Sequence, residues 1–200
     1  MLIENEFEVP APVEQVWRYL LDVPRMLPNL PGAELTEVIG EDSYQGRVRT
    51  RLGPVSMQFN GSARIVERDE AGHRLVLDAK GSEERGKGAA TMVVTATLAR
   101  SPRGTTVRVA QDLMISGAAA QFGRGMIQDV TDVLMRDFAA NIRDDIGRWS
   151  RGDAAVGGAA APVSGLRLGV RAALTALRRM LRRFFGRTPN QVDTEWRSRR

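Results

Sequence analysis

The chain has 200 residues, enough for one domain with an appendage or two small ones, and the first 150 can bury a real core. It has no cysteine, which excludes disulfides, thiol catalysis and Cys-ligated metals, and a single histidine, His73, with which a His-based metal site fails. Charge is divided unevenly: residues 1–150 hold 18 Lys+Arg against 21 Asp+Glu, net −3, and residues 151–200 hold 11 arginines against three acids, net +8.

The opening MLIENEFEVP, with three glutamates in its first eight residues, does not read as a signal peptide, and no apolar run reaches the ~18 residues of a spanning helix. Ile3, Asn5, Phe7 and Val9 alternate with Glu4, Glu6 and Glu8, which predicts a strand with one wet face. Val13–Leu21 clusters Val13, Val16, Trp17, Leu20 and Leu21 on one face of a short helix that Asp22 and Pro24 end or turn. Val23–Gly32 has three prolines and cannot be a long helix, yet it carries Met26, Leu27 and Leu30.

From Ala33 to Ile115 the period is two almost throughout. Met57, Phe59, Ala63 and Ile65 share one side of a strand; Ala90, Met92, Val94, Ala96 and Leu98 share another; Val107, Val109, Gln111, Leu113 and Ile115 a third. Turn signals such as Gly53-Pro54 and Pro102-Arg-Gly104 separate the runs, so about seven strands form one antiparallel meander. Gln121–Trp149 then repeats Phe122, Met126, Val130, Val133, Leu134, Phe138, Ile142 and Ile146 at spacings of three and four. Its 29 residues predict a helix of roughly 43 Å that needs a broad surface to lie on. Segregated helices and an antiparallel sheet make the fold class α+β, with a cavity if the sheet curls around the long helix.

Residues 151–165 dissolve into Ala and Gly and read as a flexible linker with a reach of about 20 Å. In 166–187, Leu166, Val170, Leu174, Leu177, Leu181, Phe184 and Phe185 fall within one arc of a helix; Arg171, Arg178 and Arg182 lie in the facing arc, and there is no acid. Such a helix suits the interface of an anionic bilayer, with a protein groove as the alternative. Nucleic acid is disfavoured, because the tail lacks interleaved polar base-readers and the domain is acidic. Residues 188–200 are polar and read as a disordered tail.

Inward positions such as Met57, Gly88, Ala90, Met92 and Ala96 are small or pliable and can leave room for a ligand, or can equally be plain core. Gln111 is a candidate hydrogen-bonding group among apolar neighbours, and Tyr44 also sits at an inward position. His73 follows Gly72 and reads as a solvated turn residue; Glu83-Glu84, near a turn, reads as a solvated charge run. Neither a Ser-His nor a Cys-His arrangement has independent support, and Gly86-Lys-Gly88 lacks phosphate-loop spacing.

The order strand, two short helices, six strands, long helix resembles the helix-grip fold of the START/Bet v 1-like (SRPBCC) superfamily. Pro12-Val-Glu-Gln-Val-Trp17, Leu30-Pro-Gly32, Leu52-Gly-Pro54, Phe59-Asn-Gly61 and above all Ala120-Gln-Phe-Gly-Arg-Gly-Met126 resemble the CoxG family of carbon monoxide dehydrogenase subunits. The resemblance implies a helix-grip ligand-binding domain over residues 1–150 and a non-catalytic accessory role. The implied client is a CO dehydrogenase-type molybdenum hydroxylase, linked to the inner face of the cell membrane by a cytoplasmic, peripherally bound protein. The implied ligand is a lipid, by extension an isoprenoid quinone, and no metal or covalent cofactor is expected. The cavity residues assigned on this reading are Met26, Leu27, Leu30, Met57, Phe59, Met92, Val94, Gln111, Leu113, Phe122, Met126 and Val130. A gate is expected where Met26–Gly32 would face Gln121–Gly125. The alternatives are an adaptor with a solid core and a cyclase-like enzyme.

Overall fold

Alternation decides the first strand, β1 (Leu2–Val9), whose Ile3, Phe7 and Val9 are buried while its glutamates face outward. The chain then forms helix α1 (Val13–Leu21), a short helix α2 (Val23–Met26) and a 3-10 turn at Leu27–Asn29. Asp22 starts α2 by accepting a hydrogen bond from the Arg25 backbone N–H at 3.2 Å, and Pro24 sits in its first turn, where no N–H is needed. The predicted proline-broken segment is therefore a pair of short turns of helix. The computed structural model describes residues 1–86 and 88–150; the predicted linker, the basic tail helix and the last residues lie outside the described residues.

Six strands follow: β2 (Ala33–Gly40), β3 (Ser43–Leu52), β4 (Val55–Asp69), β5 (Arg74–Glu83), β6 (Gly88–Ser101) and β7 (Gly104–Gly117). Each pairs antiparallel with the next, and β1 joins the far side of β7, giving the order β1-β7-β6-β5-β4-β3-β2. A 3-10 turn (Ala118–Phe122) leads into the long helix α3 (Gly123–Ser150). Gly117 and Gly123, with φ of 72° and 75°, turn the chain at both ends of that connection, a conformation that side chains with a Cβ rarely adopt.

Register places Gly46, Gly61, Gly81 and Ala90 side by side across β3, β4, β5 and β6. This belt lies on the inward parity, between Phe59 on one row and Ala63 on the other. A Cβ at Gly61 would come within 2.1 Å of the Lys80 carbonyl oxygen, and one at Gly46 within 2.7 Å of the Glu34 oxygen. At Gly46 and Gly61 the strands approach too closely for any larger residue, and the sheet curves about the belt into a trough.

Helix α3 is buried unevenly along its length. Met135, Phe138, Ala139, Ile142, Asp145 and Ile146 are buried from the middle of the helix onward; before Met135 only Ile127 is. The filled half packs on Phe7, Val9, Val107 and Val109 and on α1, with the Phe7 and Phe138 rings edge to face at 6.4 Å. The open half meets a smaller cluster of Leu52, Met57 and Ala119, flanked by the half-buried Phe59, Ile115, Phe122 and Val130. The predicted stripe is thus shifted: Ile127 turns inward where Met126 was expected, and Met126 is 39% exposed.

Candidate functional site

The space under the open half of α3 is flanked by half-buried Phe59, Phe122 and Val130, which pack in the smaller cluster, and by half-buried Met92 and Leu113 at inward positions of β6 and β7; Leu77 and Val94, also half-buried, pack against the main core. Where this space meets the turns at one end of the sheet there is a cavity of about 400 Å³. It is lined by Val55, Ser56 and Met57 from β4, Glu83 and Arg85 from the end of β5 and the turn after it, and Ala118, Gln121 and Phe122 before α3. Its size falls within the range of small-molecule sites. A more open depression of about 430 Å³ lies at the glycine belt, lined by Asn60, Ser62, Lys80 and Thr91 among others.

Two of the twelve cavity residues assigned from the sequence, Met57 and Phe122, line the 400 Å³ pocket. Phe59 and Val130 pack in the cluster beside it, Met92 and Leu113 are half-buried at inward positions of β6 and β7, and Val94 packs against the main core. Gln111 is buried and donates through Nε2 to Asn5 Oδ1 at 3.3 Å; Asn5 in turn donates to Asp132 Oδ1 at 2.9 Å. This chain of two amides and a carboxylate ties β7 and β1 to α3 about a third of the way along the helix.

Met26, Leu27 and Leu30 pack against the main core, not in the pocket. The reason is a polar anchor. The Asn29 carbonyl oxygen accepts from Asn141 Nδ2 at 2.9 Å, and Asn29 Nδ2 donates to the Tyr19 hydroxyl at 2.7 Å. Asn141 lies 18 residues past Gly123, roughly 27 Å along the helix. The expected apposition of Met26–Gly32 with Gln121–Gly125 is therefore replaced: Gly53, in the β3–β4 turn, neighbours Met126 in that place.

Sequence reasoning missed the polar side of the pocket. Glu83 is 7% exposed and not a solvated charge; its Oε2 accepts from the Arg85 backbone N–H at 2.9 Å. The inward alternation Ala79, Gly81, Glu83 carried that signal to the last residue of the strand. His73, expected to be solvated, is half-buried with φ of 46° and its ring edge-on to Trp17 at 5.6 Å.

It also missed a buried network at the filled end. The Tyr19 hydroxyl donates to Asp145 Oδ2 at 2.8 Å, and Arg25 Nε and an Arg148 guanidinium nitrogen each lie 3.3 Å from the same carboxylate. The Arg25 guanidinium stacks over Trp149 at 4.7 Å. Burial alone would push the Asp145 carboxyl up, but the bonds from Tyr19 and Arg25 outweigh it and hold it below the usual range. Burial and the Asp145 charge push the Tyr19 phenol up. Burial, with the Asp42 charge, also raises the Tyr44 phenol, whose hydroxyl donates to the Glu41 carbonyl oxygen at 3.0 Å.

The sequence profile for CoxG, a subunit of carbon monoxide dehydrogenase, matches residues 6–147. The chain belongs to the CoxG family. The match runs from the second half of β1 to within three residues of the end of α3, so the pocket, the trough and the Tyr19–Asp145 pair are parts of the CoxG-family domain. Among curated protein sequences there is no significant match.

Solved structures share the CoxG-family domain's fold. A conserved protein from Geobacillus kaustophilus is 21% identical with a TM-score of 0.66, covering 74% of this chain and 96% of that one. The ZhuI aromatase/cyclase from Streptomyces sp. R1128 is 16% identical with a TM-score of 0.56, covering 79% and 98%. A norcoclaurine synthase point mutant from Thalictrum is 16% identical with a TM-score of 0.53, covering 75% and 96%. At such identities the likeness extends to the helix-grip fold alone. Among the described residues no helix is long and apolar enough to cross a membrane, and no group of three His, Cys, Asp or Glu is placed to hold a metal.

Proposed function

We propose that this CoxG-family protein carries a lipophilic ligand, an isoprenoid quinone, and links a CO dehydrogenase-type molybdenum hydroxylase to the membrane, without catalysing a reaction itself. The observation that carries this reading is the unevenly filled interior. One half of α3 is sealed by large side chains, and the other half lies over half-buried apolar residues that lead to a pocket. Apolar walls with a few polar groups at one end suit a molecule with a long hydrocarbon tail and a polar ring. Gln121 would donate to a ring oxygen, while Phe59, Met92 and Leu113 would flank the tail. The arginine-faced helix read from residues 166–187 supplies the lipid contact.

Organic extraction of the purified full chain, followed by mass spectrometry, tests the reading. Wild type should release an isoprenoid quinone. Phe122→Asp should release none while still sedimenting with anionic vesicles, and equal retention by this variant would remove the pocket from the proposal. Equal sedimentation of residues 1–165 and 1–200 would remove the tail. The adaptor reading draws on the filled half of the core, and a chain that sediments with vesicles yet yields no lipophile would decide for it. A cyclase-like enzyme would have to act through Glu83 and Arg85, the titratable groups at the pocket.

A further inference from the structure

The rim of the pocket carries features that holding a ligand does not require. Val55 is 42% exposed and Met126 39%, on either side of the Gly53-Pro54 turn. The Met126 Cε and Sδ lie 3.9 and 4.0 Å from where a Gly53 Cβ would sit, so the helix residue touches the hairpin tip. Three exposed arginines belong to the same segments. Arg51 lies opposite Ser56 in the same hairpin, Arg85 lines the pocket, and Arg124 stands two residues before Met126.

Elsewhere on the domain several arginines are tied to carboxylates, as in Arg74–Glu67, Arg100–Glu14, Arg103–Glu8 and Arg108–Glu6. Among the described residues Arg51, Arg85 and Arg124 form no ion pair; the carboxylates near them in the chain are Glu83 and Glu84, beside Arg85, and Asp129, one helical turn past Met126. Helix α3 also starts here, with no acid in its first turn to offset its positive end. On a domain whose net charge is −3, this concentrates cations around two bare apolar side chains.

We propose that this end of the folded domain docks directly on an anionic bilayer, Val55 and Met126 seated at the headgroup–acyl boundary and the three arginines against lipid phosphates. Apolar tips with three arginines outside any ion pair on the adjoining segments match that surface in both hydrophobicity and charge. The pocket then opens toward lipid, so a lipophile can move between them without crossing water. The inference rests on the membrane reading above and adds a second contact, made by the domain itself.

The cysteine-free sequence makes single-site labelling clean. Full-length V55C and E70C are each labelled with an environment-sensitive fluorophore and mixed with phosphatidylcholine vesicles, with or without phosphatidylglycerol. Glu70 is exposed, just past the far end of β4, about 50 Å of strand away. The label at position 55 should brighten several-fold, shift to the blue on anionic vesicles and be quenched by spin-labelled lipid, while that at position 70 stays aqueous. Removing the three charges together (R51Q, R85Q, R124Q) should weaken binding to anionic vesicles by roughly 100-fold at low salt, at about fivefold per arginine.

Sedimentation measured in parallel separates the two ideas. Protein that sediments with anionic vesicles while the label at position 55 stays as aqueous as that at 70 overturns the docking face and leaves the tail's role standing. Protein that does not sediment at all ends both. A response of position 55 to a protein partner but not to vesicles gives the face to that partner and overturns the proposal. Equal responses on neutral and anionic vesicles overturn the part assigned to the arginines.

Discussion

Asp145→Ala should destabilise the domain by about 3 kcal/mol. Asp145 is 8% exposed and binds three partners: the Tyr19 hydroxyl at 2.8 Å and Arg25 and Arg148 at 3.3 Å each. A hydrogen bond to a charged group contributes about 1.5–3 kcal/mol, and cutting one partner from a buried pair costs about 3–5 kcal/mol. The Arg148 side chain is 45% exposed and can rehydrate, and Arg25 at 21% can do so in part, which argues for the lower end. For a domain of this size, about 3 kcal/mol corresponds to a Tm lower by roughly 6–12 °C. Asp145→Asn keeps the shape and an acceptor for Tyr19 but not the charge, and should lose about half as much. Because the Asp145 carboxyl is held below its ordinary value of 3.8, the folded state favours the ionised form. Its contribution is therefore complete above that value and is lost as the pH falls through the lower native one. Urea unfolding across a pH series should show a gap between wild type and Asp145→Asn that is wide at neutral pH and closes in acid. A constant gap, or a loss below about 0.5 kcal/mol for the alanine variant at neutral pH, where surface substitutions usually fall, would refute the network's role. Hydrogen exchange should also quicken over Val23–Leu30, since Arg25 and Asn29 anchor that segment to the network and to α3.

Two further pairs of substitutions read the packing directly. Gly61→Ala puts a Cβ 2.1 Å from the Lys80 oxygen and should cost about 1–3 kcal/mol, whereas Gly125→Ala, with nothing within 4 Å and helical backbone, should gain up to about 0.5 kcal/mol. Chemical denaturation decides, and a tolerated Gly61→Ala would mean the strands are not pressed together at the belt. Ile142→Ala, at a residue with no exposure, should cost about 2–5 kcal/mol, while Met126→Ala should cost less than about 1 kcal/mol; equal losses would contradict the uneven filling of α3.

The element order was legible because each element buries one face and so writes its period into the chain. Seven strands and the long helix follow from alternation and from spacings of three and four. Cross-strand register was not legible. That Gly46, Gly61, Gly81 and Ala90 form one row depends on hairpin geometry at several turns, and no single strand records it. Helix rotation was legible to within one residue, which is enough to misplace Met126 and Ile127. The burial of Asp145 was hidden for a different reason: in Arg143-Asp-Asp145 it looks like part of a wet face, and its partner Tyr19 lies 126 residues away. Glu83 was misread because a neighbouring turn invites a solvent reading, although strand parity already pointed it inward.

The trough survives folding because two features oppose its collapse. The glycine belt offers no side chain larger than the Ala90 methyl to reach the helix, and the helix cannot descend to meet the belt. Its height over the sheet is set elsewhere, by Phe138, Ile142 and Ile146 against β1, β7 and α1, and a third of the way along by the Asn5–Asp132 bond. A rigid rod of 28 residues carries that spacing to its other end, where Phe122 and Val130 are left half-covered. Close packing at one end thus produces the open space at the other. A substitution in the filled half that lets the helix settle should narrow the pocket without touching any residue that lines it. The Tyr19–Asp145 network, though remote from the pocket, belongs to the same device, because it fixes the end of the rod from which the spacing is measured.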